Sequence, residues 1–368
     1  VKPLTIVHTE CSTGWGGQEI RIFQEMKAMR ARGHRVLLAA PEWTTIARKC
    51  REEHFSVFTF DDSKPAYPFS IIRLARWFRS VRPDVINTHS SRDGWIAGLA
   101  ARLARSTLLV RSRHIEVSYP NRFLSRIAYH HLPQHVLTTS EAISRGLIGR
   151  LGLDPERVDC VPTGIDLERF QPGPAGSVRT ELGLQPSETV VSMIAVLRSW
   201  KGHLHFLEAA ARILAGPVPV QFLIVGEGPM RPAIEARIAR PDLHGRVRLL
   251  GHREDVPDLI RASDIVVLPS YAHEGIPQIL LQAQACGTAV IGARTGGIPE
   301  IIEDGRTGLL VPAACPESLA HAILQLATDP ARRQDLALHA LENVRQKHSL
   351  AVMCEQIEAI YARHLPAA

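Results

Sequence analysis

The feature that most narrows the folds open to this chain is an alternation that runs through once, stops, and begins again. Short apolar runs (LTIVH at 4–8, RVLLAA at 35–40, VFTF at 57–60, DVINTH at 84–89, TLLVRS at 107–112, HVLTTS at 135–140) are separated by stretches of helical periodicity. QEIRIFQEMKAMRARG at 18–33 and DGWIAGLAARLAR at 93–105 are two of these. Strands spaced by helices in this way predict β-α-β units and a parallel sheet. A second series follows: TVVSMIAV (189–196), VQFLIVG (220–226), RVRLLG (246–251), DIVVLP (264–269), TAVIGA (288–293) and TGLLV (307–311). The chain therefore reads as α/β, with two doubly wound, Rossmann-like domains in tandem.

The Pro- and Gly-rich stretch VPTGIDLERFQPGPAGS (161–177) is the natural linker between the series. It divides the chain into a first domain at 1–165 and a second at 166–345. Residues 346–368 read as a C-terminal helix returning toward the first domain, and the sequence is helical in pattern from about residue 315 onward. A length of 368 residues suits two domains. VKPLTIVHTE reads as a first strand and not as a signal peptide, and no run approaches the ~20 apolar residues that span a bilayer. The six cysteines are scattered without a C-x-x-C pair, which argues for free thiols in a cytoplasmic setting. The seventeen histidines form no H-E-x-x-H pattern, and neither His130-His131 nor His203/His205 has convincing ligand spacing.

Charge is uneven. Residues 1–168 carry 24 Lys+Arg against 17 Asp+Glu; the remaining 200 carry 19 against 20. A basic first half suggests an anionic partner. No helix-turn-helix, RNA-binding or zinc-finger signature accompanies it, so nucleic acid is not expected.

Parallel sheets bind ligands at the carboxyl ends of their strands, so the loops after the strands are where chemistry is expected. The first, T-G-W-G-G-Q-E (13–19), brings Gly16 and Gly17 to a helix N-terminus, where backbone can approach an anion closely. The second, VLRSWKGH (196–203), sets Arg198 and Lys201 three residues apart in a turn entering a helix, a pattern suited to a pyrophosphate. The third, VGEGPMR (225–231), offers Gly226 and Gly228 for a tight strand-to-helix turn. The fourth, PSYAHEGIPQILLQAQACG (269–287), is the most informative. A helix is predicted to begin near Ile276, with Glu274 just ahead of it and the amides around Gly275, Ile276 and Pro277 forming an anion nest. The plainer alternative makes Glu274 an ordinary helix cap. TGGIPEII (295–302) reads as a mainly structural turn.

Taken together these loops resemble the group 1 (family 4) retaining glycosyltransferases of GT-B fold. The resemblance covers essentially the whole chain and is densest from Val196 to Val311. It rests on R-x-x-K-G at Arg198–Gly202, V-G-x-G-P at Val225–Pro229, E-G-x-P at Glu274–Pro277, and G-I-D-x-x-R-F at Gly164–Phe170. It implies a cleft between two Rossmann-like domains, with a nucleoside-diphosphate sugar on the second. Arg198 and Lys201 would hold the diphosphate, and backbone at Gly251–His252 would meet the base. Glu274 would meet the sugar hydroxyls, and Gly275 to Pro277 would line the phosphate site. Gly16 and Gly17 would approach the donor phosphate or the acceptor. His114 matches a histidine found near the anomeric centre in many members. One departure stands out: the family's second glutamate, which bonds the ribose hydroxyls, is Gln282 here, able to donate and accept but uncharged.

The implied reaction is sugar transfer with retention to a glycan or lipid-linked acceptor, in cell-envelope polysaccharide or lipopolysaccharide synthesis. No cofactor or metal is expected: there is no D-x-D, and Asp61-Asp62 reads as a solvated loop. FSIIRLARWFRSVR (69–82) and NRFLSRIAYHHL (121–132) mix bulky apolar residues with arginine. The first suits an anionic membrane surface, placing the protein at the inner face of the cytoplasmic membrane; the plainer alternative is a core-facing helix with a basic solvent face. Two other classes stay open, a nucleotide-sugar epimerase of the same fold and a non-catalytic sugar-nucleotide-binding protein. A Rossmann oxidoreductase lacks its G-x-G-x-x-G turn here.

Overall fold

A computed structural model describes residues 2–115, 122–175, 177–243 and 245–365. It forms two compact units, Val1–Gly164 with Leu350–Ala368, and Ile165–Ser349.

The first unit holds a seven-stranded parallel sheet of order β3-β2-β1-β4-β5-β6-β7. Its strands are β1 (Thr5–Thr9), β2 (Arg35–Ala40), β3 (Ser56–Thr59), β4 (Val85–Thr88), β5 (Leu108–Arg113), β6 (His135–Thr138) and β7 (Val158–Cys160). Side chains alternate between the two faces. Ile6, Leu38, Val85 and Val110 pack with Ile22, Met26 and Met29 of the helix Gly17–Ala31. Their neighbours Val7, Leu37, Ile86 and Leu109 pack on the other face with Leu74, Phe78, Ile96 and Ala97. The sequence pattern predicts six strands here and the structure has seven. β7 is only three residues long, is interrupted by Asp159, and runs straight into Val161-Pro162, so it carries no apolar run to find.

The last helix, Leu350–His364, belongs to this first unit. Met353, Ile357 and Tyr361 enter the core beside the helix Gly17–Ala31. Glu358 ties it down: Arg32 donates from Nε at 2.7 Å and Nη2 at 2.8 Å, and His34 Nε2 lies at 2.9 Å. The bidentate Arg32 contact holds the Glu358 carboxyl down at about 2.

The second unit holds six parallel strands, β8 (Thr189–Ile194), β9 (Val220–Val225), β10 (Val247–Leu249), β11 (Ile265–Leu268), β12 (Ala289–Ala293) and β13 (Leu309–Val311), in the order β10-β9-β8-β11-β12-β13. Val191, Met193, Phe222, Ile224, Ile265 and Val267 face Phe206, Leu207 and Ile213. Val266, Leu268 and Val290 face Leu280, Leu281 and Ile298.

Candidate functional site

In a doubly wound sheet the carboxyl edge opens where two neighbouring strands send their connections to opposite faces. In the second unit that point lies between β8 and β11, which pair directly. The loops carrying Lys201 and Glu274 leave these two strands, and the structure joins them. Lys201 Nζ donates to Glu274 Oε1 at 2.6 Å, and Ser270 Oγ donates to the same oxygen at 2.7 Å. The Glu274 side chain is 5% exposed and that of Lys201 is 21% exposed. A carboxylate so buried, left without a cation, would cost several kcal/mol. Lys201 removes that cost and still has two ammonium hydrogens to offer.

Glu274 is therefore no helix cap. The cap position is Pro277, whose ψ of 113° is extended, and the helix runs Gln278–Ala285. It begins two residues later than the Ile276 start predicted from sequence, because Pro277 just ahead of it is extended. Gly275, Ile276 and Pro277 are buried, and the Ile276 side chain joins the core. Gln282 lies one turn beyond Gln278 on the same, half-buried face of the helix.

Gly296 backs this arrangement. Its φ is +54°, and a Cβ there would stand 2.2 Å from the Glu274 carbonyl oxygen. Only a glycine lets the turn after β12 lie against Glu274. TGGIPEII reads from sequence as a mainly structural turn, because nothing in the pattern reveals that the loops of Glu274 and Gly296, 22 residues apart, touch each other. Gly226 does comparable work on the other side. Its φ is +139°, and a Cβ would meet the Ala195 carbonyl oxygen at 2.0 Å. Gly226 N donates to Gly251 O at 2.8 Å, and Leu197 N donates to Glu227 O at 2.9 Å. The turns containing Gly226, Gly228 and Gly251 are thus zipped to the backbone that leads into Arg198, while His252 is exposed beside them. Arg198 is exposed, with its guanidinium 5.2 Å from the Trp200 ring centroid; Trp200 in turn meets the His273 ring edge-on at 5.5 Å.

In the first unit the equivalent point lies between β1 and β4. Gly16 ends the loop after β1, and its N–H donates to Glu19 Oε2 at 2.8 Å; Gly17 starts the helix. Glu10, unremarked in the sequence, is fully buried and turned into this loop. Its carboxyl accepts from the amides of Cys11 and Ser12 at 2.7 Å each and from Gln18 Nε2 at 2.5 Å. Asp93 fills the start of the next helix, accepting from Thr9 Oγ1 at 2.5 Å and from the His89 amide at 2.8 Å. Burial raises both carboxyls above their ordinary range, Asp93 adding to the rise at Glu10.

His114 lies immediately after β5, 7% exposed, and is one of three histidines in a row. His8 Nδ1 stands 2.9 Å from His89 Nε2, and His89 Nδ1 stands 3.0 Å from His114 Nε2. Burial pushes the His8 imidazole down to about 3, and holds His89 and His114 well below the usual histidine range. His8 and His89 escaped the sequence reading, although His89, directly after a strand, carried the same signal as His114.

Asp62 does not sit in a solvated loop: it is buried and ion-paired with Arg92. Among the described residues, His135, Asp159 and His364 place ligand-type atoms within 4.8 Å of one another. Asp159 Oδ2 already meets His135 Nε2 at 2.9 Å and Arg363 Nη2 at 2.7 Å, so a cation is present without an ion. In the helix Tyr67–Val81, Leu74, Ala75 and Phe78 are buried, while Phe69 (72% exposed), Ile72, Arg73 and Arg76 form an outward stripe. Asn121, in the second basic-apolar segment, lies outside the described residues; Phe123 and Leu124 in that segment are exposed. No helix among the described residues is long and apolar enough to cross a membrane.

Two sheets of this order, each with its polar groups at the switch point, define a protein of GT-B fold. Residues 188–329 match the family described as Glycosyl transferases group 1, and residues 15–169 match Glycosyltransferase Family 4. The chain belongs to this glycosyltransferase family. It is 37% identical over 224 residues to a D-inositol 3-phosphate glycosyltransferase of Rhodococcus erythropolis, across 58% of this chain and 50% of the relative. The chain thus spans about half the length of that curated relative. It is 29% identical over 274 residues to the Escherichia coli UDP-Gal:alpha-D-GlcNAc-diphosphoundecaprenol alpha-1,3-galactosyltransferase, across 71% and 70%. A glycosyltransferase structure from Rickettsia africae superposes with a TM-score of 0.90 at 19% identity, covering 100% of both chains. Anabaena HepE in complex with UDP superposes at 0.88 and 23%, covering 98% and 100%.

Proposed function

We propose that this chain transfers a glycosyl unit from a nucleoside-diphosphate sugar to a glycan or lipid-linked acceptor. The observation that carries the reading is the buried Lys201–Glu274 pair at the β8/β11 switch point. A diphosphate needs cations and amides; a sugar needs a fixed acceptor for its hydroxyls. In this reading Lys201 and Arg198 stabilise charge growing on the departing diphosphate, the charge that a divalent ion supplies in other enzymes. The amides of Gly275 to Pro277 line the phosphate, and Glu274 accepts from the sugar. Gln282 takes the ribose, and Gly251–His252 the base. Gly16, Gly17 and His114 act from the first unit. Transfer with retention of configuration is part of the same reading.

The E. coli relative acts on a diphosphoundecaprenol-linked sugar by its name. For this chain, the outward stripe of Phe69, Ile72, Arg73 and Arg76 supports an acceptor presented at an anionic membrane. Flotation with anionic vesicles, but not neutral ones, is the expected result.

The test is thermal stabilisation by UDP-, GDP- and ADP-sugars, followed by turnover with the best stabiliser. Lys201→Ala and Glu274→Ala should each lower kcat by about 10²-fold or more. Wild-type rates in both variants would remove the assignment. Donor consumed without acceptor would favour an epimerase, and binding without turnover a non-catalytic role.

A further inference from the structure

The row of histidines in the first unit has two unsatisfied ends. His8, two residues on from Ile6, faces the helix Gly17–Ala31, and its Nε2 lies 3.9 Å from Glu25 Oε1. Among the described residues, His8 Nε2, Glu25 Oε1 and His114 Nδ1 are buried without a hydrogen-bond partner, while every ring nitrogen between them is engaged. We infer that His8 and His89 form, with His114, a proton relay that terminates on Glu25 and sets which nitrogen of His114 carries hydrogen.

The logic is one of counting. A neutral imidazole has one N–H and one bare nitrogen. Each of the two N···N contacts needs one of each. Only two neutral arrangements satisfy both contacts: all three hydrogens on Nδ1, or all three on Nε2. In the first, His114 presents an N–H at its free end. In the second it presents a lone pair. The three rings act as one element with two states, and the far end decides between them.

Glu25 is that far end. As a carboxylate it can only accept, which favours hydrogen on His8 Nε2 and leaves His114 Nδ1 bare. As a carboxylic acid it keeps its proton and can donate a hydrogen bond to a bare His8 Nε2, the arrangement that leaves N–H on His114 Nδ1. The balance closes in the forward direction too. A proton arriving at His114 Nδ1 releases the hydrogen of Nε2 to His89 Nδ1. His89 passes its own to His8 Nδ1, and His8 gives the last to Glu25 once a side-chain rotation closes the gap of about 1 Å beyond hydrogen-bond length. One proton enters, one carboxylate becomes an acid, and no imidazolium remains.

The surroundings suit this. Burial disfavours charge on all three rings. Burial raises Glu25 to about 7, with Arg21 opposing the rise. The groups facing Glu25 are His8 from β1, Arg21 from its own helix, and Cys354 and Tyr361 from the C-terminal helix. Arg21 is itself anchored on Thr163 Oγ1 and Val161 O, both at 2.9 Å. Its Nε stands 4.0 Å from Glu25. His8, His89 and Glu25 are positioning residues; only the use made of His114 rests on the transferase reading.

The test needs no substrate. The full chain, labelled with ¹⁵N-histidine, is titrated by NMR from about pH 5 to 9, the range that brackets Glu25 and ordinary histidine. The expected result is a concerted change, with the three rings exchanging Nδ1–H for Nε2–H at one midpoint. In Glu25→Gln that midpoint disappears. In His89→Gln, His114 loses its response to the first-helix carboxyl. Rings that switch at separate midpoints in the wild type, or a His114 signal identical in wild type and Glu25→Gln, overturn the relay. The wild-type titration alone decides if a variant does not fold. Loss of transferase activity with the concerted change intact would count against the proposed function, not against the relay.

Discussion

Replacing Lys201 by methionine preserves the reach of the side chain and deletes its charge. What remains is a Glu274 carboxylate that is 5% exposed and holds one hydrogen bond, from Ser270. Removing one partner of a buried ion pair costs about 3–5 kcal/mol. Lys201 is 21% exposed, so some water reaches the vacated position, and the Ser270 bond survives; the lower end, about 3 kcal/mol, is expected. Glu274→Gln is milder. Its amide oxygen still accepts from Ser270, and Lys201 is free to turn to solvent, for a loss of about 1 kcal/mol. The double variant restores neutrality on both sides and should lose about 2 kcal/mol, against about 4 for the sum, a coupling of roughly 2 kcal/mol. Hydrogen exchange in β8 and β11 measures opening of the second unit separately from the first. Strict additivity in the double variant would refute the claim that Lys201 is what makes a buried Glu274 tenable, and with it the site's foundation.

Gly226→Ala should cost at least 3 kcal/mol by thermal denaturation, since its Cβ falls 2.0 Å from the Ala195 carbonyl at a φ of +139°; a silent substitution would contradict the zipped loops. Glu25, raised from 4.5 to about 7 by burial, ionises more readily in the unfolded chain, so its stabilising contribution is complete below about pH 4.5 and is lost as pH rises through 7. Glu25→Gln removes that dependence, so relative to wild type it should gain about 3 kcal/mol between pH 4.5 and 8 in urea titrations; parallel curves would show Glu25 is not buried as a weak acid. His114→Phe should lower kcat by about 10²–10³-fold and leave thermal stabilisation by donor unchanged, because in the proposed reading the cations Lys201 and Arg198 that hold the diphosphate lie on the second unit; an unaltered kcat would make His114 a core residue.

The sequence carried the fold well because apolar runs separated by helical periodicity have few solutions, and twelve of the thirteen strands were legible in them. β7 was not, being three residues broken by Asp159. The loops bearing Lys201 and Glu274 were recognisable one at a time from a cation pair and a Glu-Gly turn. Their contact was not, because it spans 73 residues and depends on β8 and β11 being neighbours. Gly296 was invisible for the same reason: its requirement for φ above zero is imposed by the carbonyl of Glu274, in another loop. Glu10, His8 and His89 were missed because a single polar residue at a strand end looks alike whether it is solvated or buried.

The two switch points solve opposite electrostatic problems. In the second unit a cation and a carboxylate neutralise each other, leaving an ammonium with hydrogens to spare; that half of the sequence is close to charge balance, so the attraction for a diphosphate proposed above would be local, from Lys201 and Arg198. In the first unit the excess of lysine and arginine lies in the sequence as a whole, yet the carboxyl edge of its sheet is lined by neutral imidazoles and by carboxyls raised by burial. Bulk basicity there can draw an anionic acceptor or surface toward the unit, but it does not supply the chemistry at the sheet edge. If the basic surface does no more than that, neutralising Arg73 and Arg76 together should slow association with anionic vesicles and flatten its salt dependence, while turnover of a soluble acceptor stays at the wild-type rate. A fall in soluble-acceptor kcat would mean that the exposed stripe touches the reaction itself.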